Sequence, residues 1–238
     1  MLDDQTIDVA PCGAAAVRVL SASGDRELDW RRVHALARWL AETADDAWSL
    51  STIPTYDSVL VEFDLAVLKS AELVDVIKSG LTHISGNEPI TGGRHFDVPV
   101  YYGGEDGPDL GYVAELEEMS VPELIAAHTA KHYIVRCYGS PSASPMMDAP
   151  DLPKPVPRLS SPRAHVPEGV VSLAGRQAVI APASAPGGWQ VIGRTPLVLL
   201  RRDQEPLVPY RPGDSIRFYQ IDEHEYRDRL GELMVPRS

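Results

Sequence analysis

The chain has 238 residues and a formal net charge of −12. This length suffices for one large domain or two modest ones with a hydrophobic core, and the acidic balance argues against wide contact with nucleic acid or anionic membranes. No apolar run reaches the roughly 18 residues of a membrane-spanning helix, and the acidic start of the chain lacks the plan of a signal peptide. We therefore expect a soluble, cytoplasmic protein.

Residues 1–92 predict an N-terminal α/β domain. The order strand, helix, strand, strand, helix is most of a ferredoxin-like α/β sandwich. The predicted elements are a strand over 15–21, a helix over 30–43 capped by Asp29, two strands within 48–64 separated at Pro54, and a helix over 67–79 that ends at Gly80.

Residues 93–238 predict a second domain, which begins after the Gly/Pro-rich connection 86–95. From 158 to 222, short β-type runs alternate with turn residues, which is typical of an all-β barrel or sandwich. The earlier predicted elements are a strand over 96–102, helices over 109–118 and 121–129, and a strand over 131–138.

Two segments of this domain have more than one interpretation. In the Gly-rich acidic loop, Glu105, Asp106 and Asp109 can accept protons or hold a cation, or they can cap the following helix. The Pro/Ser-rich segment 139–158 fits neither a helix nor an interior strand, so we expect a surface loop or a lid over a site.

Metal and nucleotide motifs are absent from the sequence. No Cys/His spacing fits a zinc site, and Cys12 and Cys137 are expected to stay reduced. There is no GxxxxGK[ST] phosphate cradle and no GxGxxG motif. We therefore expect this chain to bind no metal and no cofactor of its own.

Several motifs together resemble the family that comprises allophanate hydrolase subunit 1, KipI and the PxpB subunit of 5-oxoprolinase, whose second part is called the carboxyltransferase C-and-D subdomain. The resemblance covers most of the chain in the right order. The motifs that carry it are IPTYDSVLVEFD (53–64), VPVYYGGEDGPDL (98–110), SPRAHVPEG (161–169), PGGWQVIGRTPL (186–197) and RPGDSIRF (211–218).

The resemblance implies an α+β fold in which the ferredoxin-like N-terminal α/β sandwich is followed by a cyclophilin-like β-barrel. Such proteins pair with a homologous partner of the KipA type. With a third protein the pair opens the lactam 5-oxoproline at the expense of ATP, so ATP is expected only with a partner. Another family role is inhibition of a sporulation histidine kinase by binding.

Two segments depart from the family pattern. Where the family has Gly-Phe-x-Pro-Gly-Phe-x-Tyr-Leu, residues 139–147 are GSPSASPMM. Where it has Gly-Gln-Thr-Gly-Ile-Tyr-Pro, residues 176–182 are RQAVIAP, so that Gln177 and Pro182 remain and Ala181 replaces the tyrosine. An aromatic, Gly-rich pocket wall is thus expected to be smaller and more apolar here.

Candidate site residues come from this second domain, and each also has a structural interpretation as an ion-pair partner, a cap or a core residue. Histidine titrates near neutrality, glutamine can orient a carbonyl, and arginine binds carboxylates through two hydrogen bonds. The catalytic candidates are His128, His132 and Gln177. The substrate-binding candidates are Arg158, Arg163, His165, Glu105 and Trp189.

Three functions remain open from the sequence. The first is a subunit of an ATP-dependent, 5-oxoprolinase-like amidohydrolase that acts on a small lactam or amide with a KipA-type partner, or that self-associates. The second is a free-standing cyclase, dehydratase or isomerase on the same fold, which the altered segments 139–147 and 176–182 favour. The third is a KipI-like regulator that binds a histidine kinase.

Overall fold

The fold is mixed α+β, as predicted. The computed structural model describes residues 6–44, 48–86 and 93–237, and the chain divides into two compact units, Met1–Thr91 and Gly92–Ser238. No helix within these described ranges is long and apolar enough to cross a membrane.

The first unit is a four-stranded antiparallel sheet with two helices. The strand order is β1-β2-β4-β3. The unpredicted strand β1 pairs with β2 at the sheet edge, so a strand that precedes the strand-helix-strand-strand-helix series supplies the fourth strand of the sandwich. The elements are β1 (Ile7–Pro11), β2 (Ala16–Ser21), α1 (Arg26–Thr43), β3 (Ser51–Pro54), β4 (Ser58–Glu62) and α2 (Ser70–His83).

Alternation along the central strands forms the core of this unit. Val17 lies opposite Val61 and Val19 opposite Val59 in the β2–β4 register, and all four side chains are buried. Side chains at alternate positions share one face of a strand. That face packs in one cluster with apolar side chains of α1 and α2, such as Leu36.

Two helix boundaries were predicted wrongly. Asp25, not Asp29, is the N-cap of α1 and accepts hydrogen bonds from two backbone N–H groups of the first turn, whereas Asp29 is buried and accepts a hydrogen bond from the Ser21 hydroxyl at 2.6 Å. Gly80 lies inside α2 rather than at its end. A Cβ atom there would lie 2.6 Å from a ring carbon of Trp39, so the glycine permits close packing of α2 on α1.

The second unit contains an eight-stranded sheet that curls into a half-barrel, and a separate two-stranded sheet. The strand order of the large sheet is β6-β14-β5-β13-β10-β11-β8-β7, and β12 pairs with β9. The elements are β5 (His95–Tyr102), α3 (Leu110–Leu116), α4 (Val121–Thr129), β6 (His132–Ile134), β7 (Cys137–Gly139), β8 (Ser144–Asp148), β9 (Arg163–Val166), β10 (Val170–Ala174), β11 (Gln177–Ile180), β12 (Ala185–Gly187), β13 (Gln190–Arg194), β14 (Ser215–Gln220) and α5 (Glu223–Asp228).

The single strand predicted over 131–138 is in fact two strands at opposite edges of the large sheet. β6 pairs with β14 at one edge, and β7 pairs with β8 at the other. Val135 and Arg136 link them, and their N–H groups donate to Asp214 and Met146, respectively. The link brings the two edges together, which gives the sheet its barrel-like curl.

The Pro/Ser-rich segment 139–158 contains an interior strand, contrary to the expectation. β8 lies between β11 and β7, and Met147 is fully buried. Pro145 is tolerated there because β8 pairs with β11 through Met147 and Asp148, beyond the proline. Val156 is buried in the same core. The segment is therefore part of the sheet and its core rather than a detached loop or lid.

Candidate functional site

A cavity of about 390 Å³ lies on the face of the large sheet opposite the main core. In β10, Val171 and Leu173 point into the core, whereas Val170 and Ser172 line the cavity, as the period of a strand requires. The other sheet residues on this face are Gly139, Ser144, Met146, Val179 and Val191.

The two-stranded sheet provides the opposite side of this cavity. β9 contributes Val166, and β12 contributes Ala185, Pro186 and Gly187. A Cβ atom at Gly187 would lie 3.1 Å from a methyl carbon of Val166, so the two strands pack closely. The cavity is thus formed within the second unit alone, between two sheets.

Arg158 is the one ionisable side chain among the described residues that line the cavity. It is exposed, and no residue in the described ranges forms an ion pair or a hydrogen bond with its guanidinium group. Two other arginines of this unit, Arg163 and Arg194, instead pair with Asp109 and Asp106. An unpaired guanidinium beside an apolar cavity is suited to bind a carboxylate through two hydrogen bonds.

Ser172 supplies a second polar group at the centre of the cavity floor. The residue is 4% exposed and lies opposite Val179 of β11 and Val191 of β13. No described residue forms a hydrogen bond with its hydroxyl group. Because Ser172 lines the cavity, this hydroxyl group is available to a bound ligand.

A cluster of serines forms one end of the cavity at the β7–β8 turn. The Ser140 hydroxyl lies 2.9 Å from that of Ser142 and 2.9 Å from that of Ser144. Ser140 and Ala143 have φ values of 59° and 57°, a left-handed conformation that is costly for residues other than glycine. The serine network helps to hold this tight turn at the cavity.

The structure places two of the predicted site residues, Arg158 and Trp189, on the cavity lining. Arg163 instead donates to Asp109 at 2.7 Å, and His165 is exposed on β9. Glu105 is exposed in a short 3₁₀ turn. These three substrate-binding candidates do not line the cavity.

The three catalytic candidates also lie outside the cavity lining. Gln177 pairs with Asp148 at the start of β11, and His132 is exposed on β6. His128 is 0% exposed, and its Nδ1 atom lies 2.7 Å from the Tyr102 hydroxyl. Burial, followed by the charge of Lys131, lowers the pKa of His128 to about 3. His128 is thus a neutral core residue that a ligand in this cavity does not contact.

The acidic loop, which is part of the motif 98–110, contacts β13 in the motif 186–197. The Asp109 carboxylate accepts hydrogen bonds from the Val191 N–H and from Arg163, each at 2.7 Å. Its side chain makes no capping hydrogen bond to α3. A Cβ atom at Gly107 would lie 2.3 Å from the Ile192 carbonyl oxygen. The loop therefore fixes β13, and with it one wall of the cavity.

Arg194 of β13 makes a further connection to this loop. It lies 3.3 Å from an Asp106 carboxylate oxygen and donates to the Glu168 carbonyl oxygen at 2.8 Å. Asp106 and Asp109 thus pair with arginines of the neighbouring strands, and Asp109 does so without a side-chain capping bond to α3.

Residues 7–210 match the carboxyltransferase domain, subdomain C and D, family. The chain belongs to this family. It is 35% identical over 204 residues to a 5-oxoprolinase subunit of Bacillus subtilis (strain 168), an alignment that covers 82% of this chain and 84% of that protein.

Solved structures share the fold of this chain. The crystal structure of TTHA0988 is 28% identical with a TM-score of 0.72, and the match covers 87% of this chain but 40% of that one. The K. lactis urea amidolyase has the same fold at 17% identity, with a TM-score of 0.80 over 99% of this chain and 16% of that one.

The two segments that depart from the family pattern both line the cavity. From 139–147, the lining residues are Gly139, Ser140, Ser142, Ser144 and Met146, and from 176–182 they are Val179 and Ala181. Both segments thus form part of the cavity surface.

Ser172 and the serines of the β7–β8 turn were not among the predicted site residues, although they line the cavity. As a nucleophile, Ser172 lacks the sharp turn of the G-x-S-x-G motif. The usable signal is its position two residues after Val170, on one face of a strand that is otherwise apolar.

Proposed function

We propose that this chain is the substrate-holding subunit of an ATP-dependent amidohydrolase of the 5-oxoprolinase type. The observation that carries the proposal is one cavity with an unpaired guanidinium group, from Arg158, and an unpartnered hydroxyl group, from Ser172. The name of the Bacillus subtilis relative supports the reaction class.

The two polar groups match the two polar ends of a lactam carboxylate. The Arg158 guanidinium binds the carboxylate, and the Ser172 hydroxyl donates a hydrogen bond to the ring carbonyl oxygen. Apolar side chains such as Val170 and Val191 line the cavity beside Ser172 and strengthen its hydrogen bond to the substrate. The cavity thus binds and orients the substrate.

The chemical step requires groups that the described lining does not provide. Arginine side chains are not deprotonated in proteins and therefore do not act as bases. Ser172 has no histidine or carboxylate beside it among the described lining residues. A free-standing cyclase, dehydratase or isomerase needs such an acid or base, so this composition favours a subunit that works with a partner.

We assign ATP and the remaining chemistry to a partner of the KipA type. The sequence of this chain contains no phosphate-binding loop. Because the reaction consumes ATP, we place the complex in the cytoplasm. Self-association of this chain is the alternative arrangement.

Reconstitution tests the proposal. The chain is purified from its native host, co-eluting proteins are identified, and ATP hydrolysis is measured with and without 5-oxoproline. Arg158→Gln should raise the KM for the lactam roughly tenfold to a hundredfold, since a hydrogen bond to a charged group contributes about 1.5–3 kcal/mol.

Arg202→Gln, at an exposed arginine outside the cavity lining, is the matched control and should leave the KM unchanged. If no KipA-type partner co-elutes and added partner gives no lactam-dependent ATP hydrolysis, the proposal is wrong.

A further inference from the structure

We infer that the cavity accepts a lactam carboxylate larger than 5-oxoproline, one whose ring carries an apolar substituent of about four to six carbon atoms. The inference rests on the proposed function, because it concerns the same cavity, and it specifies the substrate class.

The volume of the cavity is the first argument. Benzene, with six carbon atoms, fills an engineered cavity of about 150 Å³, or roughly 25 Å³ per non-hydrogen atom. At that ratio a cavity of about 390 Å³ holds about 15 non-hydrogen atoms. The nine non-hydrogen atoms of 5-oxoproline would leave room for about six more at the same ratio.

The chemistry of the remaining wall is the second argument. Val166, Val170 and Val191 form a separate buried cluster, against which Ala181 packs. The carboxylate and the ring carbonyl of a lactam carboxylate are already matched by Arg158 and Ser172. This apolar wall has nothing to offer a small polar ligand, but it stabilises a hydrocarbon substituent by removing it from water.

The position of Ala181 is the third argument. It lines the cavity with a single methyl group and packs against the cluster of Val166, Val170 and Val191. Ala183 and Ala185 extend the same short side chains along the lining. These short side chains leave space in the cavity, and we assign that space to the substituent.

Titration calorimetry on the full chain tests the inference with two probes, 5-oxoproline and 4-butyl-5-oxoproline. Each fully buried methylene group strengthens binding about fourfold. Since the cavity is partly open, we expect the butyl compound to bind at least about tenfold more tightly rather than the roughly 200-fold of complete burial.

Ala181→Tyr should reduce this ratio of affinities to near one, because the ring fills the space for the butyl group. Ala126→Tyr, on the exposed side of α4 and outside the lining, is the matched control and should preserve the ratio.

Equal or weaker binding of the butyl compound overturns the inference, and so does a preference that survives Ala181→Tyr. The proposed function stands or falls separately. It survives either result if 5-oxoproline still supports ATP hydrolysis with the partner, and it fails together with the inference if neither lactam binds or supports hydrolysis.

Discussion

Asp109 allows a direct test of whether the acidic loop stabilises the fold through its contacts with β9 and β13. Its substitution should lower the stability of the second unit. Asp109 is 8% exposed, and its two carboxylate oxygens accept hydrogen bonds from Arg163 and from the Val191 N–H. Asp109→Ala leaves a guanidinium group without its partner and a buried backbone N–H unpaired. Because Val191 lines the cavity, the change also loosens one cavity wall.

The magnitude follows from these two contacts. Breaking a buried ion pair costs about 3–5 kcal/mol, and the Arg163 side chain is 31% exposed, so the lower end applies. We expect the free energy of unfolding of the second unit to fall by about 3 kcal/mol. Asp109→Asn keeps an acceptor for the N–H group and should lose roughly half of that.

Urea denaturation, followed by hydrogen–deuterium exchange in peptides from β10 and β13, measures this change separately from the first unit. The matched control is Asp106→Ala, which removes a longer contact of 3.3 Å between side chains that are each 27% exposed. It should lose less than about 1 kcal/mol. Equal effects of the two substitutions would refute the reasoning.

The geometry also sets the expected stability effects at a pair of serines, a pair of glycines and one histidine. Ser172→Ala should change the free energy of unfolding by less than about 0.5 kcal/mol, because its hydroxyl has no partner among the described residues. Ser21→Ala should lower it by about 1.5–3 kcal/mol, because the hydroxyl donates a hydrogen bond to the buried carboxylate of Asp29. Gly80→Ala should destabilise α2 by about 1–3 kcal/mol through overpacking, and Gly111→Ala should stabilise α3 by about 0.5–1 kcal/mol, since its Cβ would meet nothing within 4 Å. For His128, the folded pKa of about 3 lies below the ordinary pKa of 6.5, so its contribution to stability is present above pH 6.5 and is lost as the pH falls toward 3.

Urea midpoints check the serine and glycine pairs. A large loss for Ser172→Ala would reveal a protein partner for its hydroxyl, and equal effects of the two glycine substitutions would contradict the close packing at Gly80. For His128, the slope of stability against pH between 6.5 and 4.5 should reach about 1.4 kcal/mol per unit. This slope should decrease in His128→Phe and should be unchanged in the control His132→Gln. An unchanged slope in His128→Phe would contradict the role of His128 as a neutral core residue.

Local periodicity explains what the sequence predicted well. The amphipathic helices and the alternating strand β4 follow from residues that are near neighbours in the chain, and their burial matches the pattern. Gly80 shows the limit of such rules. A glycine is required there because α2 packs closely on Trp39 of α1, and not because the helix ends there.

The missed strand β8 depends on pairing as well as on its own residues. Pro145 argued against a strand, yet β8 pairs on one side with β7, where Pro145 lies opposite Tyr138, and on the other side with β11, some thirty residues later and beyond the proline. Arg158 could be identified from its motif and its charge. Ser172 could not, because its place at the site depends on the two sheets that form the cavity. The cavity was therefore predictable in part, through its charged group and its altered segments.

The parallel pairing of β5 with β14 has a consequence for how the protein is made. His95 pairs with Ser215, so the strand between β5 and β6 in the sheet comes from almost the far end of the chain. Contacts so distant in sequence slow folding. During synthesis, the edges of β5 and β6 that face β14 stay unpaired until residue 220 has left the ribosome. Because unpaired strand edges can pair with other chains, the nascent chain is prone to aggregate during this interval.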